Sequence, residues 1–298
     1  MVVRSNTNNG STGGDPYFSY VNKEFLYGSG AGLIETIILY PQNKLIFRQA
    51  LHGVKVKEAI LQLKTEGISL LYRGLLPPLL MRTSTRALMF GMNDTFQKVL
   101  GCSTGSDNKQ WTFCHASAAF LAGTTEAILC PLERIQVLLQ ASAYHKNFKN
   151  TQHAFNSLKV YGFKEYYRGL SVIIFRNGFS NALFFGLRSP LKEFLINPET
   201  KQKSALLNTG ADFASGALLG TSISTIFFPI NVIKHRMQSV IGVPNLNVLQ
   251  VAKLVWIERD RSIKQCFRGV YLNYTRSLFG WGITNSMYEV LHRFFDNP

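Results

Sequence analysis

Apolar residues gather along the chain into six long stretches, separated by shorter segments in which apolar positions recur at helical spacing. The long stretches run from about Phe25 to Phe47, Leu75 to Leu100, Trp111 to Leu139, Leu170 to Leu195, Leu207 to Met237 and Val270 to Phe295. Each reaches the roughly 20 residues a helix needs to cross a bilayer hydrocarbon core. None is free of polar residues: Glu35, Arg82, Glu126, Arg176 and Arg276 interrupt them. Gly28-Ser-Gly-Ala-Gly32 and Gly216-Ala-Leu-Leu-Gly220 supply small residues that let helices approach closely in lipid. Pro77 and Pro78 fall in a first helical turn, where proline is tolerated. The pattern predicts an all-α membrane protein with six transmembrane helices.

Between the paired long stretches lie three amphipathic segments, Val56–Lys64, Thr151–Lys159 and Val248–Trp256. Such segments lie on a membrane surface rather than crossing it. Polar connections at about 101–110 and 196–206 divide the chain into units 21–103, 104–200 and 201–298. Residues 1–20, rich in Asn, Ser and Gly with a single Arg, read as a disordered tail.

The three units repeat one another. Cys130-Pro-Leu-Glu-Arg-Ile-Gln-Val-Leu-Leu-Gln140 has Pro131, Glu133, Gln136 and Gln140, which recur as Pro229, Asn231, Lys234 and Gln238. The first unit keeps Pro41, Asn43 and Arg48 but carries Ile46 and Ala50 at the later positions. An aromatic-Arg-Gly triplet follows each copy: Tyr72-Arg73-Gly74, Tyr167-Arg168-Gly169 and Phe267-Arg268-Gly269. A period of about 100 residues marks a supersecondary unit larger than a solenoid repeat. Proline inside an apolar helix kinks it. Pro41, Pro131 and Pro229 therefore predict three kinked helices around one axis.

Composition narrows the partners. Thirty-two basic against seventeen acidic residues give a net charge of +15, which calls for an acidic partner. The basic residues are scattered among apolar segments, which makes nucleic acid the weaker option. A mean hydropathy of +0.04 suits helices that enclose a watery cavity. Cys102, Cys114, Cys130 and Cys266 form no CxxC pair and no zinc spacing, so neither a disulfide framework nor a structural metal is expected. No GxSxG, HExxH or phosphate-loop motif appears, so the chain does not read as an enzyme.

The tripled proline motif, in register with the tripled aromatic-Arg-Gly, resembles the mitochondrial carrier family over nearly everything after the tail. The family pattern is Pro-x-acidic-x-x-basic-x-basic-x-Gln. Pro-Leu-Glu-Arg, Phe-Pro-Ile-Asn-Val-Ile-Lys, Gly-Thr-Thr-Glu-Ala and Phe-Arg-Asn-Gly resemble its NAD-importing branch. The resemblance implies a multi-pass inner-membrane carrier with threefold internal symmetry, hence a monomer. NAD is then cargo rather than cofactor. It also implies cardiolipin held at helix N-termini beside Arg73, Gly74, Arg168, Gly169, Arg268 and Gly269.

The family's matrix gate maps onto Glu133 with Lys234, Asn43 with Gln136, and Asn231 with Ile46. Only the first can be ionic, which leaves two readings: a low barrier to opening, or closure by neutral hydrogen bonds and packing. The opposite gate maps onto Asp94 with Gln97, Ser189 with Lys192, and Glu289 with His292, with Lys98 and Arg293 as neighbouring cations.

Seven residues beyond each triplet glycine, the family's solute contacts fall at Met81, Arg176 and Arg276, with Arg82 and Asn177 adjacent. A bare arginine at that depth costs roughly 2.5–3.5 kcal/mol even on a lenient scale, so the two should face a wet cavity and hold an anion. A guanidinium fork suits phosphate or carboxylate. Glu126 stands at similar depth, and its counterparts Thr36 and Ser224 carry no charge. It either balances an arginine or meets a cationic or hydroxyl-rich part of the solute. For NAD, Arg176 and Arg276 would hold the pyrophosphate and Glu126 the nicotinamide or a ribose hydroxyl. Glu35, one position out of register, reads as structural or cavity-lining. Two rivals remain, a carrier of another anion such as coenzyme A or a keto acid, and a carrier-like membrane adaptor that no longer transports.

Overall fold

The computed structural model describes residues 16–67, 70–102, 113–195 and 205–296. Twelve α-helices follow in order: α1 (Pro16–His52), α2 (Val56–Glu66), α3 (Leu76–Val99), α4 (Phe113–Thr125), α5 (Cys130–Gln140), α6 (Thr151–Leu158), α7 (Leu170–Leu195), α8 (Ala205–Ile226), α9 (Phe228–Gln238), α10 (Val248–Glu258), α11 (Ile263–Cys266) and α12 (Val270–Asp296). There is no strand among the described residues. The tail assignment for residues 1–15 lies outside the described residues, as do 103–112 and 196–204 of the polar connections. Residues 16–20 depart from the tail reading. They form the first turns of α1, opened by Pro16, whose missing N–H costs nothing at a helix start.

The three short helices start where the sequence supplies caps. Asn150 Oδ1 accepts the His153 N–H at 2.8 Å ahead of α6, and Asn247 and Gln250 form a reciprocal box ahead of α10. Such caps satisfy otherwise orphaned N–H groups. Leu75 to Leu100 and the other even stretches form α3, α7 and α12 without interruption.

The prolines do not act alike. At Pro229 the chain bends by 60° between α8 and α9. Before Pro131 it tightens into the 3₁₀ turn Glu126–Leu129 and continues as α5. Pro41 sits inside α1, which runs without a break from Pro16 to His52. Ring and backbone constraints decide where a bend is permitted, while packing on either side decides whether it forms.

By length and apolarity, Phe113–Gln140 and Phe163–Arg188 could cross a membrane, and the bent α8–α9 pair adds a third candidate among the described residues. The long units close into a ring: α1 packs on α3, α3 on α4, α4 on α7, α7 on α8, α8 on α12, and α12 back on α1. The α4–α7 contact depends on small residues. A Cβ on Gly123 would lie 2.4 Å from the Asn177 carbonyl oxygen, and one on Gly178 2.6 Å from the Phe120 ring. Large apolar side chains such as Ile128, Phe194, Tyr271 and Phe279 point outward.

The densest apolar core sits at the triplet end, where Phe228, Val232, Val251 and Val255 form one cluster and Ile135, Leu138, Phe148 and Tyr166 another. Here the triplet arginines tie each unit to the next. Arg73 donates to the carbonyls of His145 (2.6 Å), Tyr144 and Phe148. Arg168 donates to Val243 (2.8 Å) and Pro244 (3.2 Å), and Arg268 to Gly53. Each captures carbonyls just past the C-terminus of the next unit's helix, where the helix dipole favours a cation. The triplet glycines turn the chain into position at φ of 82°, 82° and 104°. The guanidinium groups expected beside cardiolipin are therefore committed to protein carbonyls.

A disulfide joins Cys102 to Cys114, with Cα atoms 5.6 Å apart. This corrects the expectation of no disulfide for one pair, while Cys130 and Cys266 stay free thiols. The pairing joins the end of α3 to the start of α4, neighbours in the ring, and spacing motifs carry no signal of such an encounter.

Candidate functional site

Glu126 opens the 3₁₀ turn above Pro131, and the close α4–α7 approach brings it against two amides. Asn177 Nδ2 donates to one carboxylate oxygen at 3.2 Å, and Asn181 Nδ2 to the other at 3.0 Å. Asn177 Oδ1 in turn accepts from Arg176 at 2.9 Å. Glu126, Asn177 and Asn181 are all buried. The carboxylate is thus held at both oxygens by neutral donors, with no cation bonded to it directly. Neutral donors fix its orientation, and Arg176 acts on its charge only through space.

Arg176 keeps a buried Nε without a hydrogen-bond partner. Arg276, half-buried on α12, forms no hydrogen bond or ion pair among the described residues, and its charge lies within range of Arg176. Two guanidinium groups within electrostatic range of one another repel, a cost that an anion between them would relieve.

The third depth-equivalent position differs. Met81 is half-buried, and the adjacent Arg82 forms an ion pair with Glu35 of α1. Thr284 Oγ1 of α12 donates to the same carboxylate at 3.0 Å. The counterparts of Glu126 are satisfied locally: Thr36 Oγ1 donates to Gly32 O at 2.8 Å, and Ser224 Oγ accepts from Asn273 Nδ2 at 2.8 Å.

Toward the triplet end, Lys234 Nζ lies 3.3 Å from Glu133 Oε2, with both side chains largely buried. Asn43 and Gln136 make no side-chain hydrogen bond among the described residues, and Asn231 Oδ1 is buried without a partner while Ile46 packs on the apolar cluster. A neutral bridge stands in: Gln140 Nε2 donates to Tyr40 Oη at 3.1 Å, and Tyr40 donates to the Arg73 carbonyl at 2.7 Å. At the far end, Asp94 is exposed on α3. The side chains of Ser189, Lys192, Glu289, His292 and Arg293 lie outside the described residues.

Cavities of about 420 and 440 Å³ flank α2, one by Arg48, His52, Gln62 and Glu66, the other by Pro41, Leu45, Ile60 and Lys64. Neither includes a residue of the central group. No cluster able to hold a metal occurs among the described residues.

Glu126, Asn177, Arg176 and Arg276 are singled out by the sequence, whereas Asn181 and Thr284, which bond to Glu126 and Glu35, are not. Asn181 carries a readable signal, since it stands one helical turn beyond Asn177 on the same face. Thr284 carries none.

The mitochondrial carrier protein family model matches residues 19–104, 108–199 and 206–298. A mitochondrial nicotinamide adenine dinucleotide transporter of Mus musculus is 48% identical over 269 residues, 90% of this chain and 88% of its own length. A Homo sapiens protein of the same description is 48% identical over 273 residues, covering 91% and 89%. More distant is a probable mitochondrial 2-oxodicarboxylate carrier of Dictyostelium discoideum, 28% identical over 262 residues, 86% of this chain and 85% of its own. Tripled in its motifs, closed into a ring by its triplet arginines and matched along almost its whole length, the chain belongs to the mitochondrial carrier family.

Proposed function

We propose that this protein carries NAD⁺ across the mitochondrial inner membrane into the matrix, the solute entering the central site from one side and leaving by the other. One observation carries this reading, the charge left over once the internal ion pairs are formed. Lys234 is matched by Glu133 and Arg82 by Glu35. Of the described residues singled out at this depth, Arg176, Arg276 and Glu126 have no direct ion-pair partner, Arg176 and Glu126 acting on one another only through space. NAD⁺ bears two negative charges on its pyrophosphate and one positive charge on its nicotinamide, the same set with signs reversed.

The two arginines would grip the pyrophosphate, and Glu126 would face the nicotinamide ring or its ribose hydroxyls. Met81 would lie along the solute as an apolar contact. A 2-oxodicarboxylate has no cationic part, so it would leave Glu126 facing its negative charge. Coenzyme A carries more phosphate than two arginines match. The dinucleotide is cargo in this scheme, and the chain's contribution is to hold charge and exclude lipid.

The six long helical units would cross the membrane as six spans, their charged interruptions turned toward the central path. Cardiolipin would meet the backbone N–H groups at the starts of α7 and α12, and at α3 the fewer that Pro77 and Pro78 leave. Threefold closure within one chain supports a monomer.

A second reading, a carrier-like adaptor without transport, draws on the matrix gate, whose mapped pairs form only one ion pair among the described residues. Purified protein in vesicles, offered radiolabelled NAD⁺, a 2-oxodicarboxylate and coenzyme A in parallel, separates the readings. Uptake of NAD⁺ above both others is the expected result. Preference for the dicarboxylate, or no uptake of any, overturns the proposal.

A further inference from the structure

Arg82 and Glu35 enter the chain together in the first unit and in no other. Eight residues past the triplet glycine, where the first unit has Arg82, the other two have Asn177 and Ser277. Six residues before the motif proline, where it has Glu35, they have Thr125 and Ile223. Thr125 is satisfied within its own helix, donating to Ala122 O at 2.7 Å, and Ile223 is buried among apolar neighbours. Threefold packing therefore requires neither charge. A strut between α1 and α3 could have been apolar, and in lipid an apolar contact avoids the desolvation of two ions.

The chain also makes room for this carboxylate. A Cβ on Gly280 would lie 2.7 Å from Glu35 Oε1, so the carboxylate could keep this position only against a glycine. Thr284, one turn further along α12, donates to Glu35 Oε2 at 3.0 Å. Glu35 is buried, whereas about a third of the Arg82 side chain, 31%, stays accessible. A guanidinium at solute depth with an open face would bind anions unless its charge were already answered.

We infer that Glu35 is a specificity-determining residue: it withdraws Arg82 from the solute and so sets how many negative charges the central site accepts. Thr284 is its positioning residue. The inference rests on the NAD⁺ reading for the identity of the preferred solute. With Glu35 in place, the site offers two unmatched arginines. Without it the region beside Arg82 gains one unit of positive charge, and a dinucleotide bearing one more phosphate becomes the better match.

The test compares uptake of NAD⁺ with that of NADP⁺, the same molecule with an added 2′-phosphate, in vesicles. Glu35→Gln is expected to raise the NADP⁺ to NAD⁺ uptake ratio about ten-fold, the equivalent of one pKa-unit-sized interaction. The double variant Glu35→Gln with Arg82→Gln is expected to return the ratio near that of the parent protein. If Glu35→Gln lowers both uptakes in proportion, the pair is a structural strut and the inference falls. Should Glu35→Gln fail to fold, Thr284→Val is read in its place: a smaller rise in the ratio supports the inference and an unchanged ratio overturns it. A parent protein that takes up no NAD⁺, while Glu35→Gln gains uptake of a more highly charged nucleotide, overturns the NAD⁺ assignment and leaves the role of Glu35 standing.

Discussion

Asn181 and Glu126 meet across the α4–α7 seam, amide nitrogen to carboxylate oxygen at 3.0 Å, through a gap that exists because residues 123 and 178 are glycines. The bond orients the carboxylate through a neutral donor, while the Arg176 cation reaches it only through space. Glu126→Gln is therefore expected to lower NAD⁺ uptake at limiting concentration by at least ten-fold, mainly through KM. Discrimination between NAD⁺ and its reduced form, which lacks the ring cation, should shrink in the same variant. Asn181→Leu, which keeps the volume and removes the donor, should raise KM several-fold. Concentration-dependent uptake of both forms checks this, and unchanged KM in Glu126→Gln removes the carboxylate from the site.

Lys234 and Glu133 form the one ion pair that the mapped matrix gate makes among the described residues. Lys234→Ala strands a largely buried carboxylate, and breaking such a pair costs more than the pair itself contributes. Uptake by that variant is expected to fall several-fold. The exchange Glu133→Lys with Lys234→Glu should recover at least half of the parent rate. Unchanged uptake in Lys234→Ala would show that Gln140 and Tyr40 close this end by themselves.

Arg73 holds three carbonyls of the next unit. Charge-assisted hydrogen bonds contribute roughly 1.5–3 kcal/mol, and about 2–4 °C of melting temperature accompanies each kcal/mol in a chain near this size. Arg73→Gln should melt several degrees lower in detergent with its solute preference unchanged. Gly53→Ala should destabilise more than Gly67→Ala. Both positions have positive φ, but a Cβ at Gly53 would collide with the Arg259 guanidinium, while one at Gly67 meets nothing within 4 Å.

His145 lies in the connection after α5, near Glu66. Burial pushes its pKa down to about 4, assisted by the charges of Lys44, Arg73 and Arg48 and opposed by Glu66. The folded form thus resists a proton that the unfolded chain accepts near 6.5. Stability from this residue is complete above about 6.5 and is lost as pH falls from there toward 4. Melting curves between pH 7.5 and 5 should slope downward with acid, and His145→Asn should flatten that slope.

Much of the molecule is readable from one dimension. Period and composition locate the long units and the three short helices, because helix formation and apolar burial are set by neighbours three and four residues away. The tripled prolines and triplets mark the repeat. Arg176 and Arg276 stand out because unpaired arginines inside apolar runs need an unusual environment.

What the sequence leaves open are encounters between residues far apart in the chain. Lys234 with Glu133 was legible, because the resemblance to the family implies which motif positions face each other. Arg82 with Glu35 was not, since that pair breaks the repeat and its third member, Thr284, arrives from the opposite end of the chain. The carbonyls that the triplet arginines hold were not legible, because only the closed ring brings a helix C-terminus within their reach. Cys102 and Cys114 meet for the same reason. Local periodicity fixes which segments become helices; which faces touch depends on how the ring closes, and that choice is made by glycine-sized gaps and buried charges acting across more than two hundred residues.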